Sequence, residues 1–380
     1  MRIPEDVTRL YDHAGPFATT YLDASRTTDR GAEEVRLRWR ALRGELSGAG
    51  ADAATLAALD AAVDDDRLPG EHGRVLVGAD GEALLIGTLP RAPIRPQARW
   101  APLPHVMPYL AQLGPRIAHV VVVADRTGAE VSAATAGSAS AASLAEPTYA
   151  QPQPVNGSRQ YPPHETATAD WPERHFQQRV ENNWAANAEQ VAAVVAGLVR
   201  RVHATLVVLA GDERARALLR ADLPQALAPE AEIVEVSDGG RDSGLTHPDL
   251  VGAVHGVLLQ HRVRERAQTL ERLREASAHG LAAQGLGVVI DALRRAQVDT
   301  LVLVDQPTSQ VHAWVGPHAT QLDRDADVLK DLGVDSPQPD RLDAAMVRAL
   351  AGTSGALLTI PPEDLSVPDG VAAVLRYTDA

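Results

Sequence analysis

The chain of 380 residues contains no cysteine, a single lysine (Lys330) and only 3% aromatic residues. The lack of cysteine excludes disulfides, thiolate-bound zinc, iron–sulfur clusters and a thiol nucleophile, and it suits the cytoplasm. The scarcity of aromatic rings argues against recognition of nucleic-acid bases by stacking. No Gly-x-x-x-x-Gly-Lys-Ser/Thr string is present, so a P-loop nucleotidase is excluded as well.

Long hydrophobic runs and an excess of positive charge are also missing. The N-terminal residues contain no apolar segment of the kind found in signal peptides, and no apolar run reaches about 18 residues. We therefore expect a cytoplasmic protein without a membrane span. The formal net charge of −14 argues against DNA binding driven by phosphate contacts alone. A local basic face can still bind RNA, because salt screens charges that are more than about 10 Å apart.

The residue patterns of common catalytic and metal sites are absent too. The sequence has no His-Glu-x-x-His, no Gly-x-Ser-x-Gly and no glycine fingerprint of a dinucleotide-binding fold. The run from Asp323 to Asp327 begins like a calcium loop, but Val334 stands where the loop needs its final carboxylate. We predict no metal site and no cofactor.

Residues 1–114 carry the pattern of a first α/β unit. A strand is predicted over 17–22, followed by two helices that are separated near Gly48-Ala-Gly50. A β-hairpin that turns at Asp80-Gly81 comes next, because this dipeptide favours a tight two-residue turn. The proline-rich segment 90–108 is predicted to be extended.

The first of these two helices has an apolar stripe and a basic face. The stripe is predicted to contain Val35, Trp39, Leu42 and Leu46. Arg36, Arg40 and Arg43 share another face at helical spacing. This face is either a solvated surface on which Glu33 and Glu34 are the acidic partners, or an RNA-contacting patch.

The middle of the chain alternates strands and helices around one long irregular segment. Strands are predicted at 117–124, 206–211 and 233–236, with a return strand near 130–132 and helices at 176–202, 217–223 and 246–278. Residues 138–172 contain six prolines and no periodicity. A loop of this length inside a domain is usually functional or disordered.

The last third of the chain opens with the most regular pattern. Leu286, Val289, Ile290 and Leu293 predict a helix, and residues 298–304 predict a buried strand. Further strands at 311–315 and 356–360, helices at 326–332 and 341–351, and a closing segment at 370–377 complete the predicted elements.

The amino-acid sequence of this last third resembles that of a known family. The string from Gly280 to Leu286, continued by Ala292-Leu293 and Val298-Asp-Thr-Leu301, closely resembles the C-terminal domain of the archaeo-eukaryotic release factors and their relative Pelota. Residues 370–377 resemble the segment that closes that domain in Pelota. The resemblance points to the bacterial branch of the family, which includes the ribosome hibernation factor Balon and its mycobacterial relatives.

The resemblance implies an α/β chain of three domains. Residues 1–114 would form a domain like the decoding domain of release factors. Residues 115–245, with the loop 138–172, would form a middle domain with an RNase H-like fold. Residues 246–380 would form a C-terminal domain like the kink-turn-binding ribosomal proteins, which this family uses to contact partner GTPases and the ribosome.

Two functional motifs of release factors are missing from the sequence. The stretch 48–54 has no Asn-Ile-Lys-Ser, the motif that reads stop codons in the family, and no Gly-Gly-Gln occurs near residues 169–171. Gly239-Gly240-Arg241 follows a later strand and lacks the glutamine. The string from Gly157 to Gln160 matches the looser Gly-x-x-Gln pattern of some related peptidyl-tRNA hydrolases.

The resemblance therefore leads to two functional hypotheses. The first is a tRNA mimic that occupies the ribosomal A site in hibernation or translation regulation, contacts ribosomal RNA and meets a translational GTPase through the C-terminal domain. Its expected RNA contacts are Arg36, Arg40, Arg43, Gln160, Arg174, Gln177, Gln178 and Arg179. The alternative is a peptidyl-tRNA hydrolase in ribosome rescue, with Gln160 or Gln177 positioning water. A third interpretation is a scaffold protein that has kept the fold but no longer binds the ribosome.

Overall fold

The computed structural model describes residues 1–28, 30–66, 68–113, 117–125, 128–134, 153–156, 173–227, 231–237, 248–304 and 311–378. Two compact units can be distinguished. One contains residues 1–115 and 265–380, and the other lies within residues 116–264. Both consist of β-sheets covered by helices, so the predicted α/β class is confirmed.

The N-terminal part of the first unit is a four-stranded antiparallel sheet with the order β3-β2-β1-β4. Its elements are α1 (Glu5–Thr8), a 3-10 turn (Arg9–Asp12), β1 (Phe17–Asp23), α2 (Gly31–Gly48), α3 (Ala53–Asp64), β2 (Gly73–Ala79), β3 (Glu82–Leu89), β4 (Gln97–Ala101) and α4 (Met107–Leu113). The predicted hairpin is present, and Asp80 and Gly81 both have positive φ, 53° and 81°, as a two-residue turn of this type requires.

Side chains of β1 alternate between the two faces of this sheet. Ala18 and Leu22 pack against α2 and α3, in a core that includes the predicted stripe of α2. Phe17 and Tyr21 point to the opposite face and join the main core of the unit. The alternation follows from the two-residue period of a strand, and it gives the sheet two buried faces.

The segment 90–108, which was predicted to be extended, contains a paired strand and the start of a helix. Residues Gln97–Ala101 form β4, the edge strand that pairs with β1, and α4 begins at Met107. The strand contains Gln97 and Arg99 and lies among prolines, so the sequence there lacks the apolar pattern that predicts a strand. An edge strand tolerates this composition because one of its sides needs no partner.

The second unit contains one five-stranded sheet with the order β7-β6-β5-β8-β9. Its elements are β5 (His119–Ala124), β6 (Gly128–Ala134), β7 (Gln153–Asn156), α5 (Glu173–Val202), β8 (Leu206–Gly211), α6 (Glu213–Ala226), β9 (Glu232–Glu235) and the first part of α7 (Pro248–Ala278). Strands β5, β8 and β9 are parallel, and β6 and β7 are antiparallel to their neighbours. The division between the units falls within α7, after Arg264.

The central strands of this sheet are buried on both faces. Val120 and Val122 face the helices α5 and α6, whereas Val121 and Val123 face α7. This explains the continuous apolar run of β5, which is typical of a strand in a parallel arrangement between two helical layers.

Strand β7 lies inside the segment 138–172, for which no element was predicted. It pairs with β6 and places Pro154 opposite Glu130 at the edge of the sheet. Proline is tolerated there because an edge strand has one side without ladder hydrogen bonds. The other residues of the predicted loop, 138–152 and 157–172, lie outside the described residues.

The C-terminal part of the first unit has two sheets, with the orders β10-β16-β11-β15 and β13-β12-β14. Its elements are β10 (Ala282–Gln284), α8 (Leu286–Arg294), β11 (Val298–Val304), β12 (His312–Val315), β13 (Leu322–Asp323), α9 (Ala326–Asp331), β14 (Gln338–Arg341), α10 (Leu342–Gly352), β15 (Ala356–Ile360), a 3-10 turn (Pro368–Gly370) and β16 (Val371–Leu375). These match the helices and strands predicted for this region, apart from the short strands β10, β13 and β14.

The N- and C-terminal parts of the first unit share a single hydrophobic core. It includes Leu10 and Tyr109 from one part and Ile290 and Met346 from the other. The chain's first residue also extends the C-terminal sheet, because the backbone of Met1 exchanges two hydrogen bonds of 2.7 Å with Leu357. The shared core and these hydrogen bonds join the N- and C-terminal parts into one unit.

Candidate nucleic-acid interface

The three arginines predicted on α2 lie on the solvent side of the α2–α3 hairpin. The apolar stripe of α2 is buried against the sheet, as predicted. Arg36 and Arg40 are exposed, and Arg43 is half-buried. The structure thus brings the three residues onto one helix face, which is the placement that an RNA-contacting patch needs.

Two of these arginines are already paired with carboxylates of α3. Arg36 Nε lies 3.4 Å from Asp64 Oδ1, and both side chains are more than half exposed. Arg43 Nε donates to both oxygens of Asp60, at 2.9 and 3.0 Å. Arg40 makes no hydrogen bond or ion pair with the described residues. Exposed pairs are worth little, so Arg36 can exchange its partner for a phosphate at small cost.

Asp60 of α3 holds the Arg43 side chain against the α2–α3 hairpin. The same carboxylate accepts a hydrogen bond of 2.8 Å from the Trp39 indole nitrogen. The acidic partners predicted for this face were Glu33 and Glu34, but Glu34 pairs instead with Arg38. The real partners come from α3, 17 residues or more along the chain from the arginines they bind, and only the tertiary structure reveals them.

The other predicted RNA contacts lie in the second unit. Arg174, Gln177, Gln178 and Arg179 all belong to the first two turns of α5. The structure describes only the backbone for these residues. Gln160 lies outside the described residues, and so does the string Gly239-Gly240-Arg241.

The carboxyl ends of β5 and β8 place two aspartates at one edge of the second sheet. Asp125 accepts a hydrogen bond of 2.9 Å from the backbone of Gly128, the first residue of β6. Asp212 caps α6 by accepting from Arg214 and Ala215, both at 3.1 Å. The backbone hydrogen bonds at both carboxylates serve turn and helix geometry.

Gly211 explains why these two strands approach so closely at that edge. Its φ is 103°, and a Cβ atom at this position would lie 2.1 Å from the carbonyl oxygen of Ala124. No side chain fits there. In the part of the chain that the structure describes, no three histidine, aspartate or glutamate side chains are grouped to hold a metal ion.

None of the helices in the described ranges combines the length and the apolarity needed to cross a lipid bilayer.

The middle of the chain matches the model of a known protein family. Residues 118–279 match the model of bacterial archaeo-eukaryotic release factor family 2. This confirms the resemblance to the release factors that the sequence predicts. The matched segment begins at β5 and ends just after α7, so it contains the whole of the five-stranded sheet.

Two relatives from Mycobacterium tuberculosis match almost the entire chain. They are the proteins MT2704 of strain CDC 1551 and Rv2629 of strain H37Rv. Each is 29% identical over 367 residues, which is 96% of this chain and 94% of the relative. The chain is therefore similar to these proteins from end to end.

Solved structures to which the chain is similar include archaeal and yeast factors. A structure of ribosome-bound archaeal Pelota with ABCE1 has 16% identity and a TM-score of 0.41, covering 99% of this chain and 96% of the other. The archaeal termination factor aRF1 has 15% identity and a TM-score of 0.21, covering 97% and 95%. Yeast Dom34, which interacts with Hbs1, has 13% identity and a TM-score of 0.37, covering 77% and 74%.

Proposed function

We propose that this chain is a bacterial release-factor-like protein, as its match over residues 118–279 indicates, and that it binds the ribosome as a translation factor that does not terminate synthesis. It occupies the A site as a tRNA mimic and keeps idle ribosomes inactive. The observation that carries the proposal is the family match over a complete α/β sheet, in a chain whose sequence lacks both motifs of termination chemistry.

The electrostatics of the α2–α3 hairpin support an RNA partner. The chain carries a net charge of −14, yet Arg36 and Arg40 stand exposed on one face, and the neighbouring Arg43 is held in place by Asp60. Fixed shape and a few phosphate contacts are the usual means of recognising folded RNA. Such a face suits local contact with ribosomal RNA better than general binding to nucleic acid.

The partners of the C-terminal part follow from the sequence resemblance. Release factors and Pelota use the corresponding domain to meet a translational GTPase, and we extend this role to residues 246–380. The mode of hibernation and the identity of that GTPase belong to the same proposal.

Co-sedimentation with purified ribosomes tests the proposal. The full chain is expected to pellet with ribosomes whose A site is empty, and tRNA in the A site is expected to displace it. Binding that ignores A-site tRNA would contradict tRNA mimicry. Failure to bind under any salt condition would contradict a ribosomal function altogether.

A double substitution of Arg36 and Arg40 by glutamine tests the hairpin surface. Loss of two phosphate contacts is expected to weaken ribosome binding at low salt and to reduce its salt dependence by about one ion per arginine. The matched control is the double variant Arg9→Gln/Arg274→Gln, which removes the same charge from side chains that are 71% and 72% exposed. Equal ribosome binding by both double variants would show that the α2–α3 hairpin is not part of the ribosome interface.

Peptidyl-tRNA hydrolysis is the alternative, and it depends on Gly157 and Gln160 preceding α5 in the sequence. Our proposal expects no peptide release when the wild-type chain is incubated with peptidyl-tRNA on stalled ribosomes. Release by the wild type that is lost in Gln160→Ala would establish the hydrolase instead, because such an enzyme must position water beside the ester.

A further inference from the structure

Within the first unit, a cavity of about 490 Å³ lies where the N-terminal sheet, α4 and the C-terminal sheet meet. Its walls come from the segment before β4, from the start of α4, and from α8, β11 and α10. Nothing in the proposed ribosomal function uses it. Its volume lies in the range of small-molecule sites, which are about 300–1,000 Å³.

The inner wall of this cavity is apolar. Met107, Leu303 and Met346 line it, and Met346 is almost completely buried. Val371, the first residue of β16, also lines the cavity. An apolar interior of this size favours the uptake of a ligand with an aliphatic or aromatic body.

The mouth of the cavity is basic. Arg91 and Arg95 are both exposed, and neither makes a hydrogen bond or ion pair with the described residues. Between them, Ile94 is 91% exposed, an unusual position for an isoleucine. Two unpaired guanidinium groups on either side of an exposed apolar side chain attract a ligand that is both anionic and apolar.

The third arginine of the cavity has a different role. Arg341 donates to both oxygens of Asp343, with a shortest contact of 2.6 Å. Burial raises the pKa of Asp343, but hydrogen bonds from His105 and Arg341 outweigh burial and hold that pKa well below its usual range. The charge of Arg341 is therefore satisfied inside the protein, and a ligand anion must rely on Arg91 and Arg95.

We propose that this cavity binds a small amphipathic anion, with its acidic group at Arg91 and Arg95 and its apolar body against Met107, Leu303 and Met346. The first unit holds both the cavity and most of the region that is predicted to contact a GTPase. Binding of a small molecule in the cavity would be a property of the protein that ribosome binding alone does not require. Ligand binding is separable from ribosome binding, since neither assay depends on the other.

Fluorescence titration of the full chain with two probes tests this site. Anilinonaphthalene sulfonate combines an aromatic body, an N–H group and an anion, and phenylnaphthylamine has the same body and N–H without the anion. The variant Arg91→Gln/Arg95→Gln is expected to weaken the sulfonate by about tenfold or more while leaving phenylnaphthylamine within about twofold. The control Arg9→Gln/Arg274→Gln is expected to change neither.

A cavity-filling variant completes the test. Ala111 lines the cavity, and Ala111→Trp is expected to abolish binding of both probes, while Ala32→Trp on the exposed face of α2 leaves both unchanged. Unchanged titrations with Ala111→Trp would show that the probes bind elsewhere and overturn the proposal. An equal response of the two probes to the arginine variant would overturn the assignment of an anion.

Discussion

Replacing Asp340 with alanine is expected to lower the free energy of unfolding of the first unit by about 3–5 kcal/mol, the usual cost of removing one partner from a buried ion pair. The Asp340 side chain is completely buried. It pairs with Arg99 of β4 and accepts hydrogen bonds from the backbones of Leu103 and Arg341, at 2.8 and 2.6 Å. Alanine would leave a buried amide and a guanidinium group without their acceptor.

The variant Asp340→Asn is expected to cost less, about 1–3 kcal/mol. Burial raises the pKa of Asp340, and the nearby Arg99 only partly offsets it. A carboxyl group with a raised pKa contributes most below its ordinary value of 3.8, and that contribution is lost as the pH rises through the raised value. A neutral asparagine avoids the cost of burying the charge and keeps one acceptor.

Hydrogen exchange of the full chain in increasing urea measures both variants. Peptides that cover β4 and β14 should lose protection at lower urea in Asp340→Ala, with Asp340→Asn between it and the wild type. Asp331→Ala is the control, because Asp331 is exposed on α9 and has no hydrogen bond with described side chains. Equal midpoints for all the variants would show that Asp340 does not hold the two parts of the unit together.

Apolar periodicity was sufficient to predict most elements of this fold. Strand β8 was predicted with its observed bounds, and α8 within one residue at its C-terminal end, because both bury hydrophobic side chains at a regular spacing. Strand β4 was missed because an edge strand needs only one partner and carries polar residues. The sequence pattern reports how a segment is buried, and it is least informative where burial is partial.

The chemistry of the candidate sites was less predictable. Arg36, Arg40 and Arg43 could be placed on one helix face from spacing alone. Their partners could not, since Asp60 and Asp64 meet them only when α3 folds back on α2. The cavity beside Arg91 and Arg95 could not be predicted either, because its lining residues lie as far apart in the chain as Tyr21 and Val371.

Asp66 is a second buried aspartate in the first unit. It ends a run of three aspartates at the C-terminal end of α3. In the structure its side chain is 2% exposed and lies 3.2 Å from His72 Nε2 and 3.0 Å from Arg74. Burial raises its pKa, but hydrogen bonds from His72 and the Leu68 backbone, together with Arg74, outweigh burial and lower the pKa to about 2.

Asp66→Ala is therefore expected to destabilise the first unit by about 3–5 kcal/mol, since it leaves a histidine and an arginine buried without their carboxylate. In contrast to Asp340, Asp66→Asn is expected to be nearly as damaging, because here the folded state favours the charged form. The measurement is the urea midpoint of peptides that cover β2. The control is Asp65→Ala, which removes an adjacent exposed carboxylate.

The contributions of Asp66 and Asp340 to stability change with pH in opposite directions. A lowered pKa means that Asp66 stabilises the fold above its ordinary value of 3.8, and that this contribution is lost as the pH falls toward 2. The shift corresponds to about 2 kcal/mol. Wild-type protection of β2 should fall between about pH 4 and pH 2, and Asp66→Asn should flatten that fall. An unchanged acid response in Asp66→Asn would show that another carboxylate is responsible, because asparagine cannot take up a proton in this range.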